Sequence, residues 1–414
     1  MIHGSRILII GINYAPELTG IGRYTGEMGA WLAKQEADVQ VVTGFPYYPE
    51  WKVSEGYRAR WFSAEILDGA KVLRCPLYVP GHPSPLRRMM QDLSFFFSAM
   101  LAVSFLLLSG KRFDHIWVAS PSFLSGWVGL WAGLFCPKAN RLLHVFDLQV
   151  EAASGLNMIR GQGFIRILSI MESAMMKKYD SVSTLSEGMR GMIARKNVRP
   201  EAIVLLPIWV DTMRFLPMDV DQNLLMRLGI PPDKRLVLYS GAVGEKQGLE
   251  NLLVLAGLAK KHGRNDLTFV IAGDGPFARK LRSETLRAGL DNVKFIALQE
   301  DNIFPYFLNS AWLHLILQRD TGNEHFMPSK LFPILSVGGL AMVTAKLDSS
   351  LGRLISEHQI GALVVENHPV SMYQMMMELL SGEEKCRTLK TNARNYALKH
   401  LSRDLLLNRY WRQD

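Results

Sequence analysis

Apolar residues along the chain fall into short unbroken runs, separated by longer stretches in which they recur every three or four positions. One series of runs lies at 6–12, 38–43, 71–75, 114–119, 141–146, 180–184 and 202–206. A second lies at 235–241, 267–273, 292–296, 311–317, 339–344 and 361–365. Most are continuous Val/Ile/Leu segments, the pattern of strands buried on both faces of a parallel sheet. Helical periodicity fills the gaps at 21–36, 164–179, 247–262, 275–288 and 369–381, and the tail 384–414 reads as two helices. This β-α repetition predicts an α/β protein with doubly wound sheets. Thirteen strands are too many for one ordinary sheet. The run Leu206–Pro217, with two prolines and no clear period, separates the two series. The predicted organisation is therefore an N-terminal domain over 1–206, a junction over 207–222 and a C-terminal domain over 223–395. The segment 396–414 is a terminal helix placed to cross back to the first domain. Open sheets of this kind bind ligands at the carboxyl ends of their strands, and two such halves predict a cleft between them.

One stretch departs from the pattern. Leu93–Ser109 is uncharged over 17 residues, with Arg87 and Arg88 before it and Lys111 and Arg112 after it. It reads as a helix buried on a sheet, as a helix lying in a membrane interface, or as a short span. The strand-like DHIWVAS that follows almost at once argues against the span.

Charge adds a direction to this. The 414-residue chain carries a net charge of +9, and residues 58–112 hold 8 basic and 3 acidic side chains, +5 of that total. A basic surface suits anionic lipid or a phosphate-bearing substrate. Nucleic acid is the weaker reading, because no long Arg/Lys tract, zinc-finger, RNA-recognition or basic-zipper signature is present. The three cysteines stand far apart without a C-x-x-C, which suits a reducing cytosol. The first residues run straight into a strand without a secretory leader, so a cytoplasmic protein is expected.

The chemistry-bearing residues cluster after strands. Gly20, Gly22 and Arg23 open a helix after the first strand, where free N–H groups and close backbone approach suit an anion or a sugar hydroxyl, although such glycines are as often structural. The segment does not fit G-x-G-x-x-G, which removes the main support for a dinucleotide oxidoreductase. Gly241-Ala-Val-Gly244-Glu-Lys246 repeats the strand, glycine loop, helix design, and this combination suits a diphosphate, with a solvated loop lysine as the equal alternative for Lys246. Gly273-Asp274-Gly275 turns the chain after the next strand. Pro328 is placed to start a later helix with Ser329 and Lys330 in its first turn. A lysine there runs against the helix dipole, which makes sense beside a bound anion. Asp147 stands at a strand's carboxyl end, followed by Glu151; a turn or cap and a surface charge are the bland alternatives. Asp219-Val-Asp221 reads as a solvated turn, Glu324-His325 lacks the i, i+4 histidine pair of a zinc site, and His144 reads as a hydrogen-bonded core histidine.

Together these stretches resemble the GT-B glycosyltransferases of family 4, the glycosyl transferases group 1. The resemblance rests on Pro16–Arg23, Thr184–Met189, Val210–Phe215, Gly241–Gly248, Gly273–Gly275 and Pro328–Lys330, and covers nearly the whole chain. It implies two Rossmann-like domains facing a cleft, with a nucleotide-sugar on the C-terminal one and an acceptor on the N-terminal one. Transfer would retain anomeric configuration, with no cofactor and no bound metal. Among members, those that transfer fucose in enterobacterial colanic-acid synthesis are most similar. GDP-fucose as donor and a lipid diphosphate-linked saccharide at the inner face of the cytoplasmic membrane are expected. By the resemblance, Gly241, Gly244, Lys246, Ser329 and Lys330 hold the donor diphosphate. Gly273, Asp274 and Gly275 also contact the donor, and Gly20, Gly22, Arg23 and Glu151 lie on the acceptor side. Asp147 and Glu324 are the catalytic candidates. Two departures stand out. The usual Arg and Lys-Gly positions read Ala242 and Gln247-Gly248. Pro333 occupies the second position of the family's E-x7-E pair, with Glu324 near the first. A nucleotide-sugar epimerase on the same fold and an inactive partner in a polysaccharide assembly complex are the alternative readings.

Overall fold

The computed structural model describes residues 2–17, 20–57, 61–82, 84–120, 122–148, 162–319, 327–365 and 368–412. It divides into two units, Met1–Pro207 with Leu407–Asp414, and Ile208–Leu406.

The first unit is built on eight strands: β1 (Arg6–Gly11), β2 (Asp38–Gly44), β3 (Ser63–Leu67), β4 (Ala70–Cys75), β5 (His115–Ser120), β6 (Asn140–Val145), β7 (Ser181–Thr184) and β8 (Ile203–Leu205). Their order is β3-β4-β2-β1-β5-β6-β7-β8. All pairs are parallel except β3 with β4. Period-two alternation sends Leu8, Ile10, Val42, Val118, Leu143 and Val145 to one face. Helices Pro85–Leu108 and Phe123–Phe135 cover that face, the first through Phe95, Ala99, Ala102, Val103 and Leu106. Strand β3 escaped the sequence reading. It is a short edge strand whose residues alternate between exposed and half-buried, so it lacks the continuous apolar run that marks the others.

The second unit has β9 (Arg235–Ser240), β10 (Leu267–Ala272), β11 (Val293–Ile296), β12 (Leu313–Ile316), β13 (Ala341–Thr344) and β14 (Ala362–Val364), in the parallel order β11-β10-β9-β12-β13-β14. Val237, Tyr239, Phe269 and Ile271 belong to one core, and Leu236, Leu238, Val270 and Ala272 to the other. Helices therefore cover both faces, as the unbroken apolar strands require.

Residues 208–222 of the predicted junction belong to the second unit and are not a bare linker, because Val210 and Phe215 are buried in that unit's core. Asp221 caps the helix Gln222–Arg227 by accepting from Leu224 N at 2.9 Å. The terminal segment crosses back later than position 396. Ala393, Ala397 and Leu401 pack in the same core as Phe215, and Val210 N donates to Leu401 O at 2.8 Å. Only from Leu407 onward does the chain join the first unit. There the Trp411 indole meets Met28 Sδ at 3.4 Å and stacks edge-on against His115. Tyr410 is hydrogen-bonded to Ser183 at 3.1 Å.

Candidate active site

In the second unit, the loops that leave β9 and β10 are bonded to each other. Gly241 N donates to Ala272 O at 2.9 Å, Val243 N to Asp274 O at 2.9 Å, and Phe277 N to Val243 O at 3.1 Å. This closeness explains two of the predicted glycines. A Cβ at Gly273 would lie 1.9 Å from Gly241 O, and one at Gly275 would lie 2.3 Å from Val243 O; both residues also have positive φ, +147° and +158°. Asp274 turns inward on its own loop, its Oδ1 accepting from Gly275 N at 2.8 Å. Gly244 N is already occupied, donating to the Gln247 side chain at 3.1 Å.

Lys330 converges on this loop pair. Its Nζ lies 3.2 Å from the point where a side chain at Gly241 would begin and 3.8 Å from the centre of the Tyr239 ring. Tyr239 is held in place by its own hydroxyl, which donates to Ala242 O at 2.6 Å. The Lys330 ammonium is buried and has no hydrogen-bond acceptor among the described residues. Burial pulls its pKa down from the ordinary lysine value to about 7. Among the described residues no anion meets this ammonium, which lies against a glycine loop at the carboxyl end of β9, an arrangement that a negative ligand would satisfy.

The local structure around Lys330 differs from the sequence expectation. The helix begins at Leu331, not at Pro328, and Lys330 is its N-cap residue while Ser329 sits exposed in the preceding turn. Pro333 fits at the third helical position, where a backbone N–H would have no partner within the helix. It is buried in a helix whose six residues are all buried. Lys246 is exposed on the turn Glu245–Gln247, and its carbonyl accepts from Arg319 N at 2.9 Å. Arg319 itself went unnoticed in the sequence. It sits three residues past β12, pairs with Glu245 at 3.1 Å and with Glu250, and braces the loop that carries Lys246.

In the first unit, Asp147 is exposed two residues beyond β6. Phe146 beside it stacks on Tyr24 of the helix Gly20–Lys34, which brings the Gly20–Arg23 segment to the same end of the sheet. Gly22 is required by that helix's packing: a Cβ there would lie 2.4 Å from Glu17 Oε2. Gly20 has φ +66° and faces Tyr48. Arg23 pairs with Glu27 at 2.8 Å on its own helix. Glu151 and Glu324 lie outside the described residues, as does His325.

Two further carboxylates at the carboxyl ends of the strands were missed. Glu17 is 5% exposed, accepts from Tyr47 N and Tyr48 N at 3.1 Å each and from Asn13 Nδ2 at 2.9 Å, and is raised by burial above the usual carboxylate range. Asp92, one residue before the uncharged stretch, is pushed up to about 7 by burial, against the opposing hydrogen bond from Ser122 and the charge of Arg88. His144 is a core residue: its Nδ1 bonds Ser183 Oγ at 2.8 Å, its ring stacks on Trp117, and burial drops its pKa to about 3.

Residues 19–209 match the family described as Glycosyl transferase 4-like domain, and residues 221–396 match Glycosyl transferases group 1. The chain is also 35% identical, over 98% of its length and 98% of the relative's, to WcaI of Escherichia coli (strain K12). That relative's name places it in colanic acid biosynthesis as a glycosyl transferase. The chain belongs to the glycosyl transferases group 1 family. Its structure is similar to sucrose-phosphate synthase from Thermosynechococcus elongatus (TM-score 0.71, 16% identity, 99% of this chain and 98% of that one). It is also similar to Anabaena HepE in complex with UDP (TM-score 0.67, 13% identity, 99% of both chains). The fold is GT-B.

Proposed function

We propose that this glycosyltransferase moves fucose from GDP-fucose onto a lipid diphosphate-linked saccharide in the assembly of an exopolysaccharide of the colanic acid type, at the inner face of the cytoplasmic membrane. The observation that carries the reading is the Lys330 ammonium, buried against the Gly241 loop without a hydrogen-bond partner among the described residues. A nucleoside diphosphate supplies the missing negative charge. As the sugar–phosphate bond breaks, charge grows on the leaving diphosphate, and a preorganised cation stabilises that charge. Lys246, on the adjacent turn, adds a second, solvated positive charge. In this reading lysine charge does the work that a divalent metal does elsewhere, so transfer proceeds in the presence of a chelator. Asp147 orients the acceptor hydroxyl or stabilises positive charge at the sugar. The relationship to WcaI supports the polysaccharide setting.

The membrane placement rests on the helix Pro85–Leu108. Among the described residues it is the one helix long and apolar enough to cross a bilayer. Its inner face is committed to the sheet, while Met90, Leu93, Phe97, Leu101, Phe105 and Leu108 form an exposed stripe at helical spacing. A helix packed along one side and bare along the other suits a position in the membrane interface, with Arg87, Arg88, Lys111 and Arg112 toward anionic headgroups.

Calorimetric titration of GDP, UDP and ADP into the full chain tests the donor site. GDP binding is expected to be tightest, and Lys330→Met to weaken it by about 10- to 100-fold, the worth of a hydrogen bond to a charged group. Preference for UDP would overturn the donor, and unchanged affinity in the variant would overturn the role of Lys330.

A further inference from the structure

We infer that the N-terminal unit carries a binding groove for one anionic phospholipid of the bilayer, separate from donor and acceptor sites. A cavity of about 910 Å³ runs between the helices Pro85–Leu108, Phe123–Phe135 and Gln162–Met176. Its walls are Phe96, Met100, Trp127, Leu130 and Trp131, with Leu134 and Met171 at the open lip. Trp131 is fixed by donating to Ser104 Oγ at 3.0 Å, which ties the second helix to the first and keeps the trough formed. The volume falls within the range of small-molecule sites, about 300–1,000 Å³, and the lining suits a hydrocarbon chain.

One end of this trough is cationic. Arg141 is neutralised by Asp180 at 2.8 Å, and Arg199 lies 4.0 Å from Glu201. Lys177 and Lys178 make no ion pair among the described residues, and the Lys178 ammonium stands 5.9 Å from the Trp127 ring at the groove wall. An apolar trough ending in two uncompensated ammonium groups matches an amphiphile with an anionic phosphate head.

The position of the charged end decides which amphiphile. Arg141 is the second residue of β6, Asp180 immediately precedes β7, and Arg199 precedes β8. All sit at the amino ends of parallel strands, whereas Asp147, Asp92 and the Gly20 segment sit at the carboxyl ends. The headgroup is therefore held at the end of the sheet opposite the chemistry. The occupant is an anchoring lipid, not the lipid whose sugar is extended. Phe96 and Met100 face the groove while Phe97 and Leu101, their helix neighbours, face outward, so the site opens onto the exposed stripe, and the inference rests on the proposed function's setting of that stripe against the membrane.

The test uses the full chain and no sugar donor, so its failure is distinct from failure of the fucosyl-transfer reading. Vesicles of phosphatidylglycerol and phosphatidylcholine carry a trace of phosphatidylglycerol with a photoreactive acyl tail, and labelled residues are located by mass spectrometry. Labelling is expected at Leu130, Trp131 and Met171. Lys177→Gln with Lys178→Gln is expected to weaken vesicle binding about 30-fold, or about 2 kcal/mol at 1.4 kcal/mol per tenfold. Met171→Trp, which fills the lip, removes the groove labels while vesicle binding persists. Labels confined to Phe97, Leu101 and Phe105, or equal labelling from a neutral photoreactive phosphatidylcholine, would overturn the site. So would displacement of the label by a polyprenyl diphosphate, or a dimer that buries the groove in sedimentation without vesicles.

Discussion

Lys330 is the residue on which the functional account turns, and its environment makes a signed prediction. Burial holds its pKa near 7 in the free protein, while in the unfolded chain it stays protonated to about pH 10.4. Between these values the unfolded state binds more protons, so this group makes the free protein more stable as pH rises from about 7 to about 10. Ligand binding runs the other way. A diphosphate prefers the charged lysine and takes up a proton above pH 7. GDP affinity is therefore expected to fall by up to about tenfold per pH unit above 7, and calorimetry of Lys330→Met should show a flatter profile. An unchanged profile in the variant would remove Lys330 from the site. Lys330 drew notice in the sequence because a lysine at a helix start conflicts with the dipole, although the helix begins one residue after it and not at Pro328. Glu17 and Asp92 were not legible. Glu17 is satisfied by the amides of Tyr47 and Tyr48, 30 and 31 residues away, and Asp92 by Ser122; nothing local marks either as buried. Gly273 and Gly275 were read as ligand contacts, yet each makes room for the neighbouring loop's backbone. Gly273→Ala is expected to cost at least about 3 kcal/mol through strain and steric overlap. That lowers the melting temperature of the second unit by roughly 6–12 °C. A wild-type melting curve would mean the loops relax apart without penalty.

At the level of elements, the unbroken apolar runs located thirteen of the strands to within about two residues, because burial on both faces leaves one composition for every position. The antiparallel edge strand Ser63–Leu67 lacked that signal. Its neighbour β4 carries instead a fully buried arginine, Arg74, which donates to Glu65 at 2.7 Å and to the Ala15 carbonyl, and so joins the edge to the loop after β1. No local pattern distinguishes such an arginine from a surface one. The terminal helix Arg403–Trp411 was legible as a helix, but its docking register was not, since that depends on Met28, His115 and Ser183 far upstream. Trp411 is 3% exposed, and Trp411→Ala is expected to destabilise the first unit by about 3–5 kcal/mol. Hydrogen exchange should then rise in β5, β6 and β7 and stay unchanged in β9–β14. Faster exchange confined to the second unit would contradict the assignment of residues 407–412 to the first.

On the scale of the whole molecule, the net charge of +9 divides into two physical roles. One part gathers around the helix Pro85–Leu108, where the proposed function sets a membrane surface; the other includes Lys246 and Lys330, which the proposed function sets against a diphosphate. The family is shown by matches across both halves and by a relative of the same length. The donor base, the sugar and the acceptor rest on chemistry that only turnover can report. The most direct measurement is a donor screen with the full chain and membrane extract in the presence of a chelator, comparing radiolabelled GDP-fucose, other GDP-sugars and UDP-sugars, with label counted in the lipid fraction. The account predicts fucose in lipid from GDP-fucose, with transfer strongly reduced in Lys330→Met. Label entering lipid from a UDP-sugar and not from GDP-fucose, or equal transfer by wild type and Lys330→Met, would contradict it.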